Sequence, residues 1–172
     1  MVRRVLAGDV EAFALLVDRH HGRLCRYAFH SLGSEAEAEE AVQDSFVRAY
    51  RSLGTYQERE QFGAWLLRIL VNRCRTRLVR DKRREETAAA WVRETEQPFE
   101  PSERLAMRDE LAVALAQLPS EQREAVVLRY ADDLDYTEIS SITGAGISAL
   151  KMRVKRGCER LRAILEASRA ES

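Results

Sequence analysis

Helical periodicity runs through most of this chain and fails over any length in only one place. From Asp9 to Arg84, and again from Ser102 onward, apolar residues recur at steps of three and four, as in helices that bury one face. Between Glu85 and Pro101 the pattern is gone, and two of the three prolines, Pro98 and Pro101, fall in that interval. Eight glycines in 172 residues leave few sites for the tight turns of a β-rich fold. Ala, Leu, Arg and Glu dominate, and all favour helix. The sequence therefore predicts an all-α fold. Two small helical domains, residues 1–84 and 102–172, are joined by a flexible, mostly acidic linker over residues 85–101.

Local signals place the breaks within each domain. Asp9 is a good N-cap for a helix reaching about Ser31 on Phe13, Leu16, Val17, Leu24 and Tyr27. Gly33-Ser34 interrupts. Ser34 with Glu37 fits a capping box for a helix to about Ser52, with Ala38, Val42, Phe46 and Ala49 inward. Leu53 to Gln61 reads as a loop holding one aromatic, Tyr56. A long helix follows from about Gln61 to Arg84, with Phe62, Trp65, Leu66, Ile69 and Leu70 as its buried stripe. In the second domain Ser102 can cap a helix ending at Leu118-Pro119, with Leu105, Leu111, Ala112 and Leu115 on its face. Ser120 starts another, with Ala125, Val126, Leu128 and Tyr130 inward. Asp135 and Glu138 repeat the capping-box spacing before a short helix, Tyr136 to Ile142. After Gly144-Ala145-Gly146 a last helix runs from Ile147 to about Ser168, with Ile147, Leu150, Val154, Leu161, Ile164 and Leu165 inward.

The formal net charge is zero, but the charges are segregated. Eight positive residues from Arg68 to Arg84 face only Asp81, and six from Lys151 to Arg162 face only Glu159. Acidic residues gather over Glu35 to Asp44 and Glu85 to Glu100. Such a chain can present one face to phosphates and another to a basic protein.

A short capped helix, a Gly turn and a longer helix make the layout of a helix-turn-helix, whose second helix enters the major groove. On that helix Ser148, Lys151, Met152, Lys155 and Arg156 fall off the apolar stripe, and Arg153 lies beside it within reach of a phosphate. Lys and Arg suit both phosphates and guanine edges. Tyr56, in a loop beside the basic helix, is a candidate stacking platform for an unpaired base, and Asn72 a candidate for hydrogen bonding to a base edge. The same residues also fit a core-capping tyrosine and a solvated helix face.

Other classes find less support. No convergent set of acid, base and nucleophile marks an enzyme. His21 and Cys25 are spaced i, i+4, as metal ligands on a helix can be, but no second ligand pair lies nearby, so neither a metal nor a cofactor is implied. Three widely spaced cysteines define no disulfide framework. No apolar run approaches a membrane span, and the N-terminus is charged too early for a signal peptide, so a cytoplasmic protein without membrane insertion is expected.

Several segments, in order, resemble one known family. Glu37-Ala38-Glu39-Glu40-Ala41-Val42-Gln43-Asp44-Ser45-Phe46-Val47-Arg48-Ala49-Tyr50-Arg51 is similar to region 2.2 of bacterial sigma factors. Phe62 to Arg73 is similar to regions 2.3 and 2.4, and Leu118-Pro119 through Leu161 to region 4. The chain thus resembles the extracytoplasmic-function (ECF) group, which carries regions 2 and 4 alone. The resemblance implies a non-enzymatic initiation factor that binds core RNA polymerase and promoter DNA and is held silent by an anti-sigma factor. It implies that Glu39, Glu40, Gln43, Asp44 and Arg48 face polymerase. It assigns Tyr56, Arg68, Asn72, Arg73, Arg75 and Arg80 to melted minus-ten DNA. Tyr136, Ser148, Lys151, Met152, Arg153, Lys155 and Arg156 are assigned to minus-35 duplex. A regulator that binds duplex DNA only, through its C-terminal domain, is the alternative. The chain departs from the family at Gly157 and Cys158 inside the last helix, where a Gly costs up to about 1 kcal/mol against Ala. The relative placement of the domains is not set by these patterns.

Overall fold

The computed structural model describes residues 1–57, 61–88 and 103–171. Every regular element in these residues is helical. A first short helix, α1 (Val2–Leu6), was not anticipated from the sequence. It leads to α2 (Val10–Leu32), capped by Asp9, whose carboxylate accepts from the Ala12 N–H at 3.0 Å and from Arg4 at 2.8 Å. Gly33 ends α2 at φ +81°, a left-handed position that glycine reaches without a Cβ penalty. Ser34 then caps α3 (Glu35–Ser52) by accepting from the Glu37 N–H. A 3-10 turn, Leu53–Thr55, follows.

The long helix α4 (Phe62–Ala88) runs past the expected end at Arg84, because the residues after Arg84 are ordinary helix participants and the first proline comes only at Pro98. In the second half α5 (Glu103–Ala116), α6 (Ser120–Tyr130), α7 (Tyr136–Thr143) and α8 (Ile147–Glu171) follow the expected order. Most of the expected linker, and the candidate cap Ser102, lie outside the described residues.

The first half is built on α2, α3 and α4, which bury Leu24, Tyr27, Val42, Phe46, Leu66 and Leu70 between them. The second half packs α6 and α7 on α8 through Val127, Leu128, Ile139, Leu150 and Val154. These are not separate cores. They join in one continuous apolar cluster, because α5 and α6 pack on α2 while α7 packs on α4.

Three residues expected inward are exposed. Tyr130 (66%) stands at the end of α6, beside an open groove between α5, α6 and α8. Leu111 lies on the rim of the same groove. Ile147 is the first residue of α8 and is 41% exposed.

Gly157 also differs from expectation. It is buried, and a Cβ at this position would sit 2.6 Å from Val126 Cγ2 and 3.4 Å from the Gln122 carbonyl. The glycine is what lets α8 cross α6 so closely. Its helix-propensity penalty is therefore set against packing that no larger residue permits.

Candidate nucleic-acid interface

The helix-turn-helix is set by two capping devices. Asp135 accepts from the Thr137 and Glu138 N–H groups, both at 2.8 Å, while Glu138 reaches back to the Asp135 N–H at 2.8 Å, a complete capping box. At the other end Gly144, at φ +74°, turns the chain. The Thr143 hydroxyl accepts from the Ala145 N–H at 3.2 Å and steadies the approach to α8. Leu150, Val154 and Gly157 then face the core, which turns the opposite side of α8 to solvent.

Ser148, Lys151, Met152, Lys155 and Arg156 are all exposed on that side. The two remaining residues assigned to this face have structural partners. Arg153 is half-buried and pairs with Glu121 of α6 at 2.7 Å. The Tyr136 ring is half-buried between two cations, with Arg129 at 5.6 Å and Lys151 at 5.8 Å from its centroid. Tyr136 thus holds the Lys151 ammonium over its ring as well as bordering the exposed face.

The basic block on α4 is arranged differently. Asn72 and Arg80 are exposed. Arg73 forms an ion pair with Asp44 of α3, and Arg77 bridges Glu40 at 2.7 Å and Glu37 at 3.3 Å. Arg75 turns away from these to the second half of the chain, where Glu124 takes it through both carboxylate oxygens at 2.6 and 2.7 Å. Arg68 is half-buried. Tyr56 is also half-buried, with its ring 5.3 Å from that of Trp65 and 5.7 Å from that of Phe62. Of the stripe read as buried, Leu66 and Leu70 are fully buried, while Phe62, Trp65 and Ile69 retain some exposure. His20 completes the aromatic group, 5.5 Å from Phe62 and lying over Gly63, where a Cβ would come within 3.0 Å of the imidazole. Burial lowers the His20 pKa, and Arg23 and Arg19 lower it further, so the ring favours its neutral form.

On α3 the acidic residues form a mixed surface. Glu39, Glu40, Gln43 and Arg48 are exposed, and Asp44 is partly so. The sequence reading missed Val47 and Tyr50, which are 48% and 49% exposed beside them. The signal was available, since both fall off the stripe of Val42, Phe46 and Ala49. Cys25 approaches His21 at 3.6 Å, but burial and the nearby Glu39 raise its thiol pKa, the reverse of an activated thiolate. Burial pushes the Cys74 thiol up to about 12.

The first half, over residues 16–84, matches the Sigma-70 region 2 model, and residues 108–161 match Sigma-70 region 4. An ECF RNA polymerase sigma-E factor of Escherichia coli (strain K12) is 31% identical over 172 residues, spanning 92% of this chain and 89% of the relative. The chain belongs to the ECF sigma factors. Another relative, ECF RNA polymerase sigma factor SigW of Bacillus subtilis (strain 168), is 29% identical and matches over 94% of this chain and 92% of its own length. Among solved structures, the sigma factor RpoE in complex with the anti-sigma factor NepR from Bartonella quintana superposes with a TM-score of 0.76 at 25% identity. It covers 91% of this chain and 98% of that one. This sigma factor is accordingly a transcription initiation factor that binds core RNA polymerase and directs it to promoter DNA. The α8 face falls within its region 4 match, and the α3 and α4 faces within its region 2 match.

Proposed function

We propose that this sigma factor reads the minus-35 element as duplex with α8 and the minus-ten element as melted DNA with α4 and its flanking loop. The observation that carries the reading is the uninterrupted exposed face of Ser148, Lys151, Met152, Lys155 and Arg156 on the second helix of a helix-turn-helix. Lys151, Lys155 and Arg156 supply charge for phosphates and donors for base edges, while Met152 offers an apolar contact for a thymine methyl. Arg153 and Tyr136 act there chiefly by holding α8 and Lys151 in place.

At the minus-ten element Asn72 is the base-reading residue, with Arg68, Arg73, Arg75 and Arg80 along the backbone. Extruding a base costs a few kcal/mol of stacking, which a ring such as Tyr56 can offset. Glu39, Glu40, Gln43, Asp44 and Arg48 form the polymerase-docking face, and the exposed Val47 and Tyr50 give it an apolar centre. The working units are residues 1–84 and 102–172, with residues 85–101 connecting them. The factor is non-catalytic and acts in the cytoplasm, where polymerase and promoter lie; among the described residues no helix is long and apolar enough to cross a membrane. An anti-sigma factor as inhibitor is supported by the likeness to RpoE, which was solved with one.

The test is initiation by the host core polymerase on a promoter carrying both elements. Specific open-complex formation that depends on each element is the expected result. Duplex binding at the minus-35 element without polymerase association would instead make this chain a simple duplex-binding regulator.

A further inference from the structure

The turn between α6 and α7 is tied to α8 through a row of side chains. Leu134 is buried in that turn, and its N–H donates to the Leu128 carbonyl at 3.2 Å. The Leu134 carbonyl accepts from Arg129 Nη1 at 2.9 Å. Asp133, just before it, stands at φ +53°, and Asp135, just after it, caps α7. Tyr136 is the first residue of α7, so this turn sets the point from which its ring extends. The Arg129 guanidinium lies 5.6 Å from that ring and 6.0 Å from the ring of Tyr130. On α8, Lys151 Nζ lies 5.8 Å from the Tyr136 centroid.

One ring thus serves two cations. The faces of an aromatic ring are negative, which lets it attract both positive groups. The two cations differ in setting. Arg129 is half-buried and bonded to the backbone, whereas Lys151 is exposed on the outward face of α8. A planar guanidinium on a carbonyl is a fixed point, and a lysine ammonium rides on a flexible four-carbon stem. A lysine free in solvent loses rotamer freedom when it meets a phosphate or a base edge. A lysine already held over a ring loses less. The row therefore runs from a fixed carbonyl, through Arg129 and Tyr136, to a cation that would otherwise be loose.

We propose that Arg129 is a positioning residue for minus-35 recognition: it fixes the Tyr136 ring and through that ring preorganises the Lys151 ammonium for the duplex. The proposal rests on the minus-35 reading of Lys151 given above. Arg129 acts here without touching DNA, so it contributes affinity and no phosphate contact. Neutralising it lowers affinity and leaves the salt dependence alone. Removing an arginine that met a phosphate would instead lower the logarithmic salt slope by about 0.9.

The experiment uses the full chain, with fluorescence anisotropy on a minus-35 duplex across a salt series. NMR relaxation at Lys151 Cε in the free protein reports how ordered that side chain is. Thermal melts set a temperature at which each variant is folded; if Arg129→Gln does not fold, Arg129→Met, which keeps the apolar stem, takes its place. Arg129→Gln should lower the order at Lys151 Cε and weaken duplex binding by about fivefold at an unchanged salt slope. Tyr136→Leu should do the same, whereas Tyr136→Phe, which keeps the ring, should match the wild type. In a Lys151→Ala background Arg129→Gln should cost nothing further. Wild-type order at Lys151 in Arg129→Gln, a slope lowered by about 0.9, or a loss of affinity that persists without Lys151 overturns the proposal. Weaker binding by Lys151→Ala beside wild-type binding by Arg129→Gln sinks the proposal alone. Wild-type binding by Lys151→Ala sinks the minus-35 reading of Lys151, and the promoter role of Arg129 with it.

Discussion

The two basic blocks are alike in sequence and unlike in the folded chain. On α8 the outward cations Lys151, Lys155 and Arg156 are exposed, with Lys151 near the Tyr136 ring and Lys155 4.0 Å from Glu159 of the same helix, while Arg153 pairs with Glu121 of α6. On α4 each of Arg73, Arg75 and Arg77 is met by a carboxylate from a different helix. A run of positive residues therefore fixes how much charge a helix carries but not whether the charge is available. Availability depends on what packs beside the helix. A lone α8 face meets solvent, whereas α4 lies between acidic α3 and the second half of the chain.

The contrast is broken most strongly by moving α8. Gly157→Leu should lower stability by about 3 kcal/mol through overpacking against Val126. Gly157→Ala should also destabilise, although Ala is the better helix former. Val126→Ala should recover part of the Gly157→Ala loss, as urea melts of the single and double variants will show. A simple gain on Gly157→Ala would mean that the close crossing does not control this helix.

Removing the open charges comes next. Lys151→Ala with Lys155→Ala should flatten the salt dependence of duplex binding by about 1.8 in logarithmic slope, if both meet phosphates. Titrations of a minus-35 duplex across a salt series measure this, and an unchanged slope would put those lysines off the backbone.

Charge reversal on α3 sharpens the comparison further. Glu39→Lys should weaken polymerase association and leave the melting temperature unchanged, since no cross-helix partner is lost. Glu40→Lys should weaken association too, but it also breaks the Arg77 pair and so lowers stability by up to about 1 kcal/mol. Equal stability for the two variants would show that the Arg77–Glu40 pair contributes nothing.

The smallest effect is a pH dependence. The Ala12 N–H and Arg4 hold the Asp9 carboxylate below the usual aspartate pKa. Its contribution is complete above the pKa of the unfolded chain and fades as pH falls through the lowered folded value. Asp9→Asn keeps a good cap without the titration, so its melting temperature should fall less than that of the wild type on acidification below about pH 4. Parallel curves would remove Asp9 from the acid response.

Local chemistry made much of the fold legible. Asp9, Ser34 and Asp135 mark helix starts, and Gly33 and Gly144 mark ends, because caps and left-handed turns act over a few residues. The exposed face of α8 was legible for the same reason, since a period of 3.6 sorts one helix without knowledge of its neighbours. The seam between the halves was not. Arg75 and Glu124 are 49 residues apart, and Arg23 and Asp132 are 109 apart, so neither pair leaves a periodic trace. Gly157 was misread for a related reason: its value lies in Val126 on another helix. Tyr130 and Ile147 have the right spacing for burial but sit at helix ends, where the apolar stripe outruns the surface that could cover it.

The close crossing at Gly157 divides the labour on α8 between two sides. Leu150, Val154 and Gly157 fix the angle at which the helix leaves α6, and Ser148, Met152 and Lys155 take no part in that fit. Promoter preference can therefore be rewritten at the outward positions while the scaffold stays constant. Volume at 126 and 157, by contrast, is a shared quantity: a methyl added at one position must be given up at the other, and lineages that drift at one should drift at both.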